Sequence, residues 1–224
     1  MRTHFDNLCE HAPDLIERSI LDLGSGKGRF LIDVSKRGGK IVGLEVNDEY
    51  IEETRRRAKE AGVEVKVFQG VGEKLPFQDD EFDFVNMSEV IEHVEDPKKV
   101  MSEVYRVLKP GGKVYVSVPN RFGFYDQHFH IYFVNWLPRR WSDTFISIFG
   151  KHKDYSGKAG RQRLGEMHYY SWGGICSLVT GLGLAYEDIR LRKVERMSVF
   201  FLPTYIVLRK LFFNAFHLML NKSS

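Results

Sequence analysis

Between Ser19 and Gly28 the chain reads Ser-Ile-Leu-Asp-Leu-Gly-Ser-Gly-Lys-Gly, and this stretch limits what the remainder can fold into. Ile20-Leu21-Asp22-Leu23 is a short apolar strand with one acid near its end. Gly24, Gly26 and Gly28 make a turn too tight for side chains, and Phe30-Leu31-Ile32-Asp33-Val34 predicts the helix that follows. A strand that passes through glycines into a helix N-terminus presents backbone N–H groups and the positive end of a dipole to a ligand. Glycine permits the unusual angles and lets the ligand approach the main chain. A structural turn without a ligand is the plain alternative. The spacing separates ligand classes, because the dinucleotide fingerprint Gly-x-Gly-x-x-Gly needs a glycine where Arg29 stands, and here the third glycine comes one place early.

The continuation repeats the rhythm. Gly38-Gly39 ends the first helix and Lys40 to Glu45 reads as a second strand. A carboxylate closing that strand, Glu45, can accept both hydroxyls of an adenosine ribose; a helix cap or a solvated acid is the other reading. Glu49 to Ala61 is a charged helix stopped by Gly62, and its Arg55-Arg56-Arg57 run is a solvated face with acids one turn away. Val63 to Phe68 alternates as a strand, Phe82 to Asn86 makes a fourth, and a helix is predicted over Glu89 to Leu108 with a break at Pro97. After the turn Lys109-Pro110-Gly111-Gly112, Lys113 to Asn120 is a fifth strand. Strands alternating with helices mean a parallel sheet wound on both faces.

Over residues 19–120 the Gly-x-Gly-x-Gly turn, Glu45, Glu73-Lys74-Leu75-Pro76-Phe77, Phe82-Asp83-Phe84-Val85, Ser88-Glu89-Val90-Ile91-Glu92-His93-Val94 and Leu108-Lys109-Pro110-Gly111-Gly112 arrive in an order that resembles the class I S-adenosylmethionine (SAM) methyltransferase superfamily. The group resembled is methyltransferase type 11, which includes the ubiquinone-biosynthesis O-methyltransferases. The resemblance implies an α/β fold: a Rossmann-like seven-stranded sheet with helices on both faces, an antiparallel last strand and a cap inserted after strand five. It implies SAM as cofactor, with Asp22, Gly24, Ser25, Gly26 and Gly28 around its methionine part, Glu45 and Val46 at the ribose, Gly72 and Glu73 at the adenine, and Met87, Ser88 and Glu89 near the sulfonium. One position departs. The family usually carries an acid where Val71 stands, so adenine recognition is expected to use the backbone of Gly72 and Glu73.

Glu89, Glu92 and His93 at helical spacing offer two carboxylates and an imidazole. Some quinone O-methyltransferases are associated with metal at the matching motif, but the motif is widespread. No metal site is assigned; the expectation is a helix-start acid pair and an orienting histidine, with His93 a candidate general base.

Residues 121–170 break the strand–helix rhythm with aromatics, His128, His130, Arg139, Arg140 and His168, and a helical pattern over Ser142 to Phe149. Placed after strand five, this segment is expected to cap the C-terminal edge of the sheet, where doubly wound folds bind ligands. It would suit an aromatic, sugar or lipid-linked acceptor, with His128 and His130 as further candidate bases; a self-packed cap with merely hydrogen-bonded histidines is the alternative. Another helix opens at Ser171-Trp172, Leu184 to Arg192 reads as a strand, and Ala215 to Lys222 as the final antiparallel one. The segment 194–213 is an apolar, basic-flanked helix that can lie in a membrane interface, cover the acceptor pocket or meet a second subunit in a homodimer.

With 224 residues and a net charge of +3, the chain suits one domain, 1–224, with no basic run of nucleic-acid-binding type. Cys9 and Cys176 make no disulfide framework or metal spacing, and the N-terminus lacks a signal-peptide pattern, so a cytoplasmic protein, peripherally membrane-associated at most, is expected. Strand four ends Asn86-Met87-Ser88-Glu89, without the Asn/Asp-Pro-Pro-aromatic signature of amino-methylating nucleic-acid enzymes, so nucleic acid is not an expected partner. The expected activity is methyl transfer from SAM to a small-molecule or lipid/glycan-linked acceptor, on oxygen. A SAM-binding docking module without catalysis and a nicotinamide oxidoreductase are the rivals, the latter opposed by Arg29 and by the Leu-Pro-Phe and Glu-His motifs.

Overall fold

A computed structural model describes residues 3–149, 163–191, 202–211 and 213–223. Seven strands, β1 (Ser19–Leu23), β2 (Lys40–Glu45), β3 (Lys66–Gln69), β4 (Phe82–Ser88), β5 (Leu108–Pro119), β8 (Leu184–Asp188) and β9 (Ala215–Lys222), form one sheet in the order β3-β2-β1-β4-β5-β9-β8. The first five run parallel, and β9 lies antiparallel to both β5 and β8. A two-stranded ribbon, β6 (Tyr125–Asp126) with β7 (Ile131–Tyr132), stands apart from it.

Strand periodicity distributes the core between two faces. Ile20, Phe84, Tyr115 and Met219 point to one side and pack with Phe5 and Leu8 of α1 (His4–Cys9) and Phe30 and Val34 of α2 (Arg29–Lys36). Their neighbours Leu21, Val85, Val114, Val116, Leu218 and Leu220 point to the other, against Val100, Met101 and Val104 of α4 (Pro97–Val107) and Ile175 and Val179 of α6 (Trp172–Thr180). Successive side chains of a strand alternate between faces, so strands covered on both sides must be apolar throughout, as Leu21 to Leu23 nearly are. Helix α3 (Asp48–Glu60) starts at Asn47, whose side chain accepts from the N–H groups of Glu49 and Tyr50.

Several sequence expectations change, and β5 takes in the residues predicted as the turn 109–112. The helix predicted over Glu89 to Leu108 occupies only Pro97–Val107: Asp96 accepts from Lys98 and Lys99 N–H at 3.0 and 3.1 Å, and Pro97 opens the first turn. Residues 89–96 form turns instead, entered at Glu89 with φ of 55°. The strand predicted over Leu184 to Arg192 stops at Asp188, where the Asp188 carboxylate accepts from the N–H groups of Arg190 and Leu191 and turns the chain helical. The strand predicted from Val63 begins at Lys66, and α5 begins at Arg139 rather than Ser142 and runs to Phe149.

Residues 121–149 and 163–170, the cap segment, have a small core of their own in Phe129, Ile131, Val134, Ile146, Leu164 and Met167. It is stitched to the sheet end at Asn120, whose side-chain oxygen accepts from Phe122 N–H at 3.0 Å while its Nδ2 donates to the Phe213 carbonyl before β9 at 2.7 Å, and by Arg121 and Tyr170, whose N–H groups bond the Tyr170 and Pro119 carbonyls. The cap residues 150–162 lie outside the described residues, as do 192–201 and 212 of the apolar segment. The rest of that segment includes α7 (Leu202–Leu211), tied down by an Arg209–Asp188 ion pair of 2.7 Å. Among the described residues no helix is long and apolar enough to cross a membrane.

The start of α4 is directly testable. Asp96→Ala removes the cap and is expected to lower unfolding free energy by about 1 kcal/mol in urea titration; a helix starting at Glu89 would be indifferent to the change.

Candidate functional site

The C-terminal ends of β1 and β2 meet in the glycine turn. Gly24, Gly26 and Gly28 all have positive φ, and a Cβ at Gly28 would sit 2.3 Å from the buried Thr54 side chain of α3. Thr54 also donates its hydroxyl to the Gly26 carbonyl at 3.0 Å. The turn hangs on β2 as well, with Gly24 and Ser25 N–H both bonded to the Leu44 carbonyl. Glu45 closes the arrangement: Oε2 accepts from Gly26 N–H at 2.7 Å, and Oε1 from Val46 and Asn47 N–H at 3.0 Å each. The expected ribose acid is therefore also the brace of the turn. Beside it the Ser25 hydroxyl is buried without a partner, a donor or acceptor available to a ligand.

Asp22 lies beneath the turn, 3% exposed, and accepts from Asn86 Nδ2 at 2.6 Å. Asn86 Oδ1 is bonded in turn to His4 Nε2 at 3.0 Å, so α1 covers this end of the sheet. Burial, together with nearby Glu45 and against the Asn86 hydrogen bond, pushes the Asp22 carboxyl up to about 7.

The remaining cofactor candidates divide. Val46 and Val71 are exposed apolar residues following adjoining strands β2 and β3, suited to flank a flat ring. Gly72 packs against Val100, with a Cβ there 3.2 Å from it, and the Glu73 carboxylate is engaged with Glu95 and Asp96 N–H at 2.9 and 3.2 Å, which leaves its backbone for a ligand. Met87 is fully buried in the core, so only its main chain faces the site, and the Ser88 hydroxyl bonds that of Ser117 at 3.1 Å.

The glycine turn touches the next group directly, since a Cβ on Gly24 would meet Val90 at 2.6 Å. Two residues on, Glu92 is completely buried and neither carboxylate oxygen has a hydrogen-bond partner. Burial, and then Glu89, holds its carboxyl well above the usual range. Its Oε1 faces His93 Nε2 at 3.9 Å and His128 Nε2 at 3.6 Å. The imidazole that joins Glu92 and His93 is thus a cap residue, and Glu89 does not share a helical face with them, because residues 89–96 are not helical.

His128 is held from behind. Asp126 Oδ1 accepts from His128 and Phe129 N–H at 2.9 Å each, and Oδ2 from Asn135 Nδ2 at 3.0 Å and the Tyr169 hydroxyl at 2.9 Å. Tyr169, having donated to Asp126, accepts from His128 Nδ1 at 3.0 Å. This fixes the tautomer with the lone pair on Nε2, the nitrogen directed at Glu92. His130 is not part of the group: it is exposed and paired with the Tyr125 hydroxyl at 2.8 Å. A narrow cavity of about 10 Å³ runs beside the cluster, lined by Glu89, Tyr125, Asp126, His128, Asn135 and Tyr169 among others. Asp126, Asn135 and Tyr169 had no sequence signal of their own; the spacing Asp126-Gln-His128 became informative only once the turn brought both toward Glu92.

One ligand atom each from Glu92, His93 and His128 lies within 4.8 Å of the others. A carboxylate and two imidazoles suit a first-row divalent cation, and the orphaned Glu92 oxygens fit that donor set. The same three groups equally fit proton transfer.

Residues 21–116 match the family described as "Methyltransferase domain". Over this stretch, a little under half of the chain, the protein is similar to SAM-dependent methyltransferases, and the match points to SAM as the cofactor. Among curated relatives, the ubiquinone biosynthesis O-methyltransferase of Aeromonas salmonicida is 32% identical over 117 residues, 52% of this chain and 49% of that one. The demethylmenaquinone methyltransferase of Lactococcus lactis is 36% identical over 132 residues, 56% and 52% of the two chains. The chain thus spans about half the length of these relatives, and the cap lies wholly beyond the matched family region. In fold, the crystal structure of YcgJ from Bacillus subtilis superposes with a TM-score of 0.63 at 21% identity, covering 99% of this chain and all of that one.

Asp22 supplies a pH test. Its carboxyl titrates near 7 in the fold and in the ordinary acidic range when unfolded, so the folded state holds the extra proton between those values. The stability this supports is complete at low pH and lost as pH rises through 7. Asp22→Asn should therefore match the parent near pH 4 and exceed it at pH 8 by a few kcal/mol at most, on the order of the linked proton's free energy. Urea unfolding at both pH values checks this.

Proposed function

We propose that the protein transfers the SAM methyl group to a hydroxyl of a small-molecule or lipid- or glycan-linked acceptor bound under the cap. The observation that carries this reading is the Gly24–Val90 contact, which puts the cofactor turn against the segment bearing Glu92 and His93, facing His128 of the cap. SAM supplies an activated methyl on a sulfonium, so the protein's task is alignment, water exclusion and removal of the acceptor proton. His128 is the favoured base: its Nε2 carries the lone pair, Tyr169 and Asp126 hold its ring, and the imidazolium formed would face Glu92. His93 lies within reach of the same carboxylate, whereas His130 is exposed and pairs with Tyr125 outside this cluster. A divalent cation held by Glu92, His93 and His128 would instead acidify a bound hydroxyl. Quinone precursors are among the acceptors worth screening, since two relatives are named for quinone biosynthesis. A SAM-binding module without turnover is the rival reading, distinguished by catalysis alone.

The experiment is a methyl-transfer assay with a panel of hydroxyl acceptors, run beside calorimetric titration of SAM. Glu45→Ala is expected to weaken SAM binding at least tenfold, through loss of charge-assisted hydrogen bonds of about 1.5–3 kcal/mol. His128→Ala should keep SAM affinity within about threefold and lower kcat about 10²- to 10⁴-fold. SAM binding without turnover on any acceptor would favour the docking module, and unchanged kcat in His128→Ala would remove the base assignment. Chelation decides the cation: with a metal-assisted mechanism, EDTA abolishes turnover and lowers the melting temperature, and Mg²⁺ or Zn²⁺ restores both. With a histidine base EDTA changes neither.

A further inference from the structure

Helix α5 turns an apolar side outward. Trp141, Phe145, Ile148 and Phe149 stand at positions i, i+4, i+7 and i+8 and so share one face. They are nevertheless 58, 37, 66 and 66% exposed. Ser142 and Ile146, on a neighbouring face, are the buried residues of the helix. A helix on a globular domain ordinarily directs its apolar stripe at the core. This one gives Ile146 to the core and shows the larger part of its stripe to solvent.

The short turn Val134–Trp136 leads into α5 and is tied to it by the Ser142 hydroxyl, which donates to the Val134 carbonyl at 3.3 Å. Two more exposed aromatics, Phe133 and Trp136, belong to this lead-in, their ring centres 5.8 Å apart and nearly perpendicular. Phe133 holds φ at 62°, a conformation that bulky side chains avoid. Backbone strain of this kind concentrates where function requires a particular display. Burial of the ring does not account for it, since half of Phe133 faces solvent. Among the described residues α7 offers no such stripe: its exposed apolar residues Ile206, Val207 and Leu208 are consecutive and fan round the helix.

Charge is concentrated in the same segment. Residues 121–170 carry eight Lys and Arg against four Asp and Glu, so they hold more than the whole chain's net charge of +3. Arg139 and Arg140 open α5, the Arg140 guanidinium lying 5.4 Å from the Trp141 ring centre, and Lys151 and Lys153 follow Phe149 closely in sequence. An aromatic and aliphatic stripe with basic residues at both ends suits a lipid headgroup layer, where Trp and Phe reach the acyl boundary and Arg and Lys meet anionic headgroups. A second copy of the chain fits less well, because two-fold pairing sets a patch against itself and opposes like charges.

We propose that the outward face of α5 docks the protein on an anionic lipid bilayer, with the helix lying in the plane of the headgroups. This stands independently of the acceptor reading, since none of its residues belongs to the cofactor turn or to the Glu92, His93 and His128 cluster.

The test is co-sedimentation of the full chain with vesicles of phosphatidylcholine alone and of phosphatidylcholine mixed with phosphatidylglycerol. The double variant Trp141→Ser, Ile148→Ser removes two exposed side chains, and an unchanged urea midpoint verifies its fold. Val207→Ser is the control, removing a comparably exposed apolar residue of α7. Saturable binding to the mixed vesicles is expected, at least tenfold stronger than to phosphatidylcholine and at least fivefold weaker in the double variant, with Val207→Ser within twofold of the parent. Raising ionic strength from about 0.1 M to 1 M, which shortens the screening length from about 10 Å to 3 Å, should also weaken it. No saturable binding, equal binding to both vesicles, or equal losses in the two variants overturns the proposal. So does a dimer in sedimentation equilibrium that the double variant dissociates without any vesicle binding, which would give the face to a second copy. SAM titration keeps the readings apart: the double variant should bind SAM as the parent does, and a parent that fails to bind SAM would sink methyl transfer while leaving the vesicle result standing.

Discussion

Three backbone N–H groups converge on the Glu45 carboxylate, and much of the cofactor end depends on that convergence. A turn with three glycines at positive φ has little conformational preference of its own. Glu45 gathers one strand of it at Gly26 and the start of the next loop at Val46 and Asn47, while Thr54 holds the opposite edge. The residue expected from the sequence to meet a ribose is also the one that keeps the amides aimed. On the proposed reading binding and preorganisation rest on a single side chain, so the two cannot be varied independently.

The second half of the site follows a different logic. Glu92 is buried without hydrogen bonds, Asn135 keeps an unmet amide oxygen, and Arg139 an unmet guanidinium nitrogen. Native interiors satisfy nearly all such groups, and of these three Asn135 lines the narrow cavity beside His128. The satisfied members, Asp126 and Tyr169, are the ones that orient His128.

The sheet and the cofactor turn were legible in the sequence because each is a local pattern: apolar runs of strand length, glycines at fixed spacing, an acid closing β2. The antiparallel final strand was legible through resemblance. Misreadings arose where a nearby signal outweighed periodicity. Glu89 to Val94 has helical spacing, yet Asp96 and Pro97 together make a stronger start, and positive φ at Glu89 turns the chain away first. Asp188 similarly ends β8 by capping the turn beyond it. The cluster of Glu92, His93 and His128 was only half visible, since His128 reaches it by tertiary folding across the β6–β7 ribbon. His128 and His130 looked equivalent in sequence; two residues of turn geometry send one inward and the other to solvent.

The cap has its own core and meets the sheet through a few ties centred on Asn120. Among the described residues the cofactor end and the cap are thus two packing units. Substitutions inside the cap core can reshape what is admitted while the glycine turn, Glu45 and the Asp22–Asn86 pair are left alone. On the proposed reading the two units can vary separately: a change inside the cap alters what the site admits while the cofactor turn keeps its own bracing.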